Sequence, residues 1–287
     1  MAQTPRIEPE PQALRPLPEG THPLLRQGSE AVAYYIPVAP PADDASPLKT
    51  TIALPRRSAW TSGLHFHASH TEYLRLVKGA IFVQLGGQIK LISALKGGEV
   101  DPNSGELLRE GLVVEVPRFA RHNWGHLEHY DKLHRSRHQG VSKQWSLPED
   151  WDEEAVVEEW TDPIDAGKPL FFWNLNGIIT APSNSVLSRR QQMARSLLGG
   201  FWIDLQLFVV FWELDNWPVF VDLRKRLSLG SSQGRLTAMT DAAEVVASFI
   251  TLLFARMIGI FLGLKAVSQQ RTPDALWEAY KKSPRDL

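Results

Sequence analysis

The sequence predicts a mainly β protein, a single barrel or sandwich of short antiparallel strands followed by an α-helical C-terminal extension. Three observations carry this. Over residues 50–130, short runs of Ile, Val, Leu and aromatic residues are broken by glycines, the pattern of strands joined by tight turns. Residues 197–221 and 245–264 are apolar over helical lengths. No internal repeat is visible, so one barrel is expected and not a duplicated pair.

Taken in order, residues 1–48 hold ten of the twenty prolines and read as an extended arm or linker outside the core. The barrel is expected over 49–130. Its clearest hairpin joins 80–85 to 88–93 across Gly86-Gly87, and 112–116 supplies a further strand before Pro117. Residues 131–195 read as a polar connector with a solvated helix, because Glu149, Asp150, Asp152, Glu153, Glu154, Glu158 and Glu159 are interleaved with Trp145, Trp151 and Trp160. Residues 196–287 read as an apolar helical hairpin.

Composition narrows the function. A chain of 287 residues fits one barrel plus added segments. Apolar residues at 43% and charged residues at 22% are ordinary for a globular protein, and a formal charge of −1 offers no footprint for nucleic acid. The absence of cysteine excludes a disulfide framework, a thiolate metal site and a cysteine nucleophile. Pro5, Glu8, Pro9, Glu10 and Pro11 do not form the basic-then-apolar layout of a secretory signal, so an intracellular protein is expected.

Eight of the nine histidines fall between His65 and His138. The stretch Gly63-Leu-His65-Phe-His67-Ala-Ser-His70-Thr-Glu72 runs six residues further to Gly79. A strand period of two points His65 and His67 to the same face, with Phe66 turned away, so two imidazoles can chelate one ion. Glu72 follows five residues after His67, and His122 lies downstream of Gly111 and Pro117. By the same parity Leu74, Leu76 and Trp124 face inward and would form an apolar substrate pocket, while Arg121 and Asn123 face out. His70 reads as a loop residue; His126, His129, His134 and His138 read as solvated or interdomain residues.

These two segments resemble the first and second motifs of the cupin superfamily, over roughly 65 residues. The second departs from the family pattern at Phe119, where a glycine is usual, and at His126, where an asparagine is usual. The resemblance implies a double-stranded β-helix barrel with His65, His67, Glu72 and His122 as ligands of a divalent transition metal. Three nitrogens and one oxygen suit Fe(II), Mn(II), Ni(II) or Zn(II), with open positions for water or substrate. Glu72 could also serve as a base.

In the extension, residues 245–264 would span about 30 Å as a helix, enough for a bilayer core. Arg256 within it costs about 2.5 to 3.5 kcal/mol on insertion scales and needs a partner, which Asp204, Glu213 or Asp215 of residues 197–221 could supply. Trp202, Trp212 and Trp217 are available for interfacial positions. Attachment to a membrane through 197–264 is therefore expected. The alternative is a soluble extension packed on the barrel or on a second copy, as in a homodimer.

The function implied is a metal-dependent enzyme that oxidises, decarboxylates, isomerises or dehydrates a small, hydrophobic organic substrate. Single-domain cupins with an apolar tail look like those beside biosynthetic enzymes for lipophilic natural products, which implies a place in secondary metabolism. The other reading is a non-catalytic binding or sensor barrel tethered to a membrane. No helix-turn-helix flanks the barrel, which disfavours a transcription factor.

Overall fold

The computed structural model describes residues 9–41, 46–130, 147–182, 187–227 and 234–282. Two antiparallel sheets enclose the core. One runs in the order β1 (Thr21–Arg26), β2 (Val32–Pro37), β3 (Thr50–Leu54), β12 (Ala155–Asp162), β5 (Thr71–Lys78), β10 (Val113–Val116). The other runs β13 (Trp217–Pro218), β4 (His65–Phe66), β11 (His122–His126), β6 (Ala80–Leu85), β7 (Gln88–Ser93), β8 (Gly98–Val100), β9 (Leu107–Glu110). Residues 80–93 form the expected hairpin, in register from Ala80 opposite Ser93 to Leu85 opposite Gln88.

Strand alternation fills the space between the sheets. Along β5, Glu72, Leu74 and Leu76 are buried while Arg75 and Val77 are exposed. They meet Ile81, Val83 and Trp124 of the facing sheet, and each fully buried aliphatic side chain contributes about 1.5–3 kcal/mol. Gly79 is required at the β5–β6 corner, where its φ is +72° and a Cβ would collide with the carbonyl of Glu154.

The sheets take in more of the chain than the 49–130 span. Residues 1–48 are not merely an arm: β1 and β2 extend the first sheet, and β2 is buried along its whole length. The prolines are compatible with this because Pro37 ends β2 and Pro23 sits in the edge strand β1, where a missing N–H costs no ladder bond. Likewise the acidic stretch is not a solvated helix over 155–162. There β12 lies between β3 and β5, with Ala155, Val157, Glu159 and Thr161 turned inward. Trp145, His134 and His138 lie outside the described residues.

Helices α1 (Gly167–Ile179), α2 (Arg189–Leu198), α3 (Phe201–Glu213), α4 (Gly234–Leu262) and α5 (Asp274–Lys282) form the C-terminal part. Residues 197–221 are thus not one helix. They bend by 115° between α2 and α3 and end in β13, which pairs with β4 through Trp217–Phe66 and Pro218–His65.

Helix α4 is amphipathic in the reverse sense. Its buried face is Thr240, Glu244, Ser248, Leu252, Ala255 and Gly259, whereas Phe254, Ile260 and Phe261 are 61–70% exposed. Glu244 accepts from Arg121 at 2.7 and 2.8 Å, and the Ser248 hydroxyl donates to the Pro218 carbonyl at 2.6 Å. Arg121, outside the sheets as its parity requires, is therefore the socket for this helix. Arg256 makes no ion pair among the described residues. Its guanidinium lies over the Trp212 ring, 5.4 Å from the centroid, in place of the carboxylate pairing expected for it.

Candidate metal centre

β4, β5 and β11 bring His65, His67, Glu72 and His122 together. The pairing of His65 with His122 across β4 and β11 brings their rings together, centroids 4.0 Å apart and tilted by 52°. His67 follows β4, and Glu72 enters from the opposite sheet. All four side chains are buried, and one donor atom from each lies within 4.8 Å of every other.

The histidine tautomers are set by backbone carbonyls. Nδ1 of His65 donates to Gly63 at 2.8 Å, Nδ1 of His122 to Ala120 at 3.0 Å, and Nδ1 of His67 to Asp215. Each Nε2 is then left as a lone pair. Nε2 of His122 stands 2.8 Å from one Glu72 oxygen and Nε2 of His67 stands 3.5 Å from the other. Nε2 of His67 and of His122 and Oε2 of Glu72 are buried without a hydrogen-bond partner. Lone pairs converging in a dry site repel unless a cation lies among them, and outer carbonyls that fix imidazole orientation are the usual support of a metal ligand. The donor set fits a divalent metal ion.

Electrostatics agree with a neutral imidazole at His65 and at His67. Burial, reinforced by the neighbouring histidines, holds His65 well below its ordinary value; burial also lowers His67, against the opposing pull of Glu72. Burial alone would raise Glu72, but the Lys168 ammonium and His67 outweigh it and keep the carboxyl well below its usual range.

Sequence reasoning missed Lys168, Glu159 and Asp215. Lys168, in the first turn of α1, contacts Glu72 directly and lies 3.4 Å from Glu159. Burial pushes Glu159 up to about 7, with Lys168 opposing and Glu72 adding to the rise. Trp124 donates its indole N–H to Glu159 at 2.6 Å.

Asp215, just beyond α3, folds over the loop after His67. Its Oδ1 accepts from the Ala68 amide at 2.8 Å, and its Oδ2 accepts from the Ser69 and His70 amides at 2.9 and 3.1 Å and from the His70 ring at 2.7 Å. The other ring nitrogen of His70 donates to Asp165 at 3.0 Å. Burial disfavours the charged imidazole, yet these two carboxylates push His70 up to about 9. His70 is thus a clamped cation beside the site, not a simple loop residue. His126 is likewise no solvated histidine: it is fully buried, donating to the Glu153 carbonyl and accepting from the Glu128 amide. Phe119 keeps the left-handed conformation usual for glycine there, with φ at 61°, and its amide donates to the His67 carbonyl at 2.7 Å.

Two cavities reach the centre. The larger, about 590 Å³, is bounded by His67, His70, Lys168, Phe171, Trp212 and Arg256 among others. The smaller, about 180 Å³, is bounded by Tyr34, Trp60, His65, Glu159 and Lys168 among others. Leu74, Leu76 and Trp124 line neither; they pack in the core at 1% exposure or less. The cavity wall is instead supplied by apolar and charged residues of α1, α3 and α4, among them Phe171, Trp212, Lys168 and Arg256.

No family model and no curated protein matches the sequence. Solved structures similar to the chain include a cupin-2 domain protein from Rhodospirillum rubrum, at 14% identity and a TM-score of 0.31 over 56% of this chain and 81% of that one. Others are a cupin 2 conserved barrel domain protein from Rhodopseudomonas palustris (12%, TM-score 0.29, 51% and 74%) and KdgF from Halomonas sp. (14%, TM-score 0.25, 45% and 77%). In this chain two antiparallel sheets carry a buried His-His-Glu-His set, and a helical extension reaches back to that site through β13 and Asp215.

Proposed function

We propose that the protein is a metal-dependent cupin enzyme acting on a small organic substrate admitted through the larger cavity. The observation that carries this is the convergence of three carbonyl-fixed imidazoles and Glu72 in a buried site. A bound divalent ion would supply Lewis acidity toward a carbonyl or hydroxyl oxygen, or oxygen chemistry if it is iron. The protein's own residues divide the remaining tasks. Glu72, held anionic by Lys168, is a poor base, whereas Glu159, pushed up to about 7, lines the smaller cavity and suits proton transfer there, linked to the larger cavity through Lys168. The test is elemental analysis of protein prepared without chelators and offered iron, manganese, nickel and zinc in turn. About one ion per chain is expected, lost in His122→Ala; no retained metal would refute the reading.

The same reading seats the protein on a membrane surface through α4. The helix is long and apolar enough to span a bilayer, and only 22% of its most apolar stretch is buried. Its polar face is nevertheless committed to the barrel through Arg121–Glu244 and Ser248. Spanning would drag Arg256 and Glu244 into hydrocarbon, at about 2.5–3.5 kcal/mol for the arginine alone. Lying in the interface keeps both on the protein side. Basic residues flank both ends, with Lys225, Arg226 and Arg235 at one and Arg189, Arg190 and Lys265 at the other. Two copies meeting on this face would set cations against cations in either orientation, whereas anionic headgroups would neutralise them. Sedimentation with phosphatidylglycerol vesicles should pull down the wild type but not Phe254→Glu/Phe261→Glu. A dimer that ignores vesicles would assign this face to a second copy instead.

A further inference from the structure

We propose that the larger cavity binds an amphipathic carboxylic acid, its carboxylate on Arg256 and its apolar body between Trp212 and Phe171, pointing toward His67. This names the substrate class for the metal site proposed above and rests on that reading.

The charges around the cavity leave one group unanswered. Lys168 is held by Glu72 and Glu159. His70 is held by Asp165 and Asp215. Asp215 is further saturated by three backbone amides, and Asp165 accepts from the Gly167 amide at 2.7 Å. Glu213 accepts from the Tyr280 hydroxyl at 3.5 Å. Arg256 alone among these cavity-lining ions makes neither an ion pair nor a hydrogen bond among the described residues. Its guanidinium stands over the Trp212 ring, 5.4 Å from the centroid, a cation–π contact that occupies none of its N–H donors.

A partly buried guanidinium with unused donors is matched by a planar, bidentate anion. The rest of the wall does not favour a small polar acid: Leu170, Phe171, Trp212 and Leu214 supply apolar surface. A volume of about 590 Å³ is in the range of small-molecule sites and exceeds what a two- or three-carbon acid would fill. His67 and Lys168 line the same cavity, so a ligand whose charge sits on Arg256 has its other end free to face the metal-site residues.

Calorimetry with octanoate and 4-phenylbutyrate, each against its neutral amide, tests this on the full-length protein. The wild type should prefer the acids by about tenfold or more, as a charge-assisted pair requires. Arg256→Gln should lose that preference while keeping its metal content, and Arg256→Lys should retain part of it. His122→Ala, which empties the metal site, should still prefer the acids, so failure of the metal reading and failure of this one separate. Equal binding of acid and amide by the wild type, no binding of either acid at millimolar concentration, or an undiminished preference in Arg256→Gln would overturn the proposal. So would an Arg256→Gln variant that loses vesicle binding but keeps the acids, since the guanidinium would then serve headgroups.

Discussion

Replacing Asp215 by asparagine should loosen the metal centre although residue 215 contributes no ligand atom. The asparagine side chain keeps an oxygen and tolerates the positive φ of 50° found at Asp215, so the backbone carbonyl that fixes His67 can stay in place. What is lost is the anionic Oδ2, acceptor for the Ser69 and His70 amides and for the His70 ring. Hydrogen bonds to charged groups are worth about 1.5–3 kcal/mol each when buried, but water can replace part of these at a half-open loop, so about 2–4 kcal/mol is expected. In a chain of this size that is a fall in Tm of about 4–16 °C. Metal affinity should drop by about 10–100-fold, the usual effect of removing a group that orients a ligand.

The pH dependence gives a second handle. The folded protein holds the His70 proton to about 9 against 6.5 for the free side chain. The clamp's contribution is therefore full below about pH 6.5, declines between 6.5 and 9, and is absent above 9. After screening on the open side it amounts to about 1–2 kcal/mol. Thermal melts of wild type and Asp215→Asn from pH 6 to 10 should converge as pH rises, and the His70 resonance of the variant should titrate closer to 6.5. Parallel melting curves, or a wild-type His70 that titrates near 6.5, would refute the clamp.

Other perturbations follow from the same geometry. Lys168→Met strands two buried carboxylates and should cost the metal-free protein about 3–5 kcal/mol, with added divalent metal restoring more of the melting temperature than in the wild type. Glu244→Ala removes the main partner of Arg121 and should destabilise by about 2–4 kcal/mol and expose α4 to limited proteolysis, whereas an unchanged digestion pattern would show the socket to be dispensable. A chain ending at residue 190 deletes β13 and Asp215 along with the apolar helices, so it should fail to hold metal even when kept soluble by a fusion partner.

The clustering of His65, His67, Glu72 and His122 was legible because each signal is local. A period of two sets His65 beside His67, and the alternation of β5 that buries Leu74 and Leu76 also buries Glu72. The groups around them come from segments with no fixed spacing to the motif. Lys168 stands 96 residues from Glu72, and its one visible sign is a lone lysine heading the apolar run Pro169-Leu-Phe-Phe-Trp173. Glu159 hid in an acidic stretch whose charge density reads as solvated, although Val156, Val157 and Trp160 around it carry the β-branched and aromatic character of a strand. Asp215 was conspicuous as an acid among apolar residues, but the expected partner was Arg256; the backbone turn that sends it to Ala68 instead is a tertiary fact. Proline density likewise obscured β1 and β2, since edge position and strand ends cannot be read from composition.

The extension also bears on how substrate selection relates to location. Trp212 and Arg256, at the cavity, sit on the same two helices whose outer surfaces are apolar: Phe201 and Ile203 of α3 and Phe254, Met257 and Ile258 of α4 are all more than 40% exposed. The two helices pack on each other through Trp202, Leu205 and Ala255, and Val209 abuts Gly259, where a Cβ would collide with it. The exposed apolar surface of α4 is thereby rigidly tied to the guanidinium that lines the cavity, one residue from the buried Ala255. The same helix pair continues into Asp215 and β13, which hold the loop and strand of His67 and His65. Any force that tilts α3 against α4 must therefore act on the acid-binding end and on the metal-ligand end together. Enlarging Gly259 to valine should wedge the pair at Val209, within one turn of Arg256; a loss of metal affinity in that variant, at the end Gly259 does not touch, would establish that the helix pair and the metal site are mechanically one unit, whereas unchanged metal affinity would show the helices to be a passive cover.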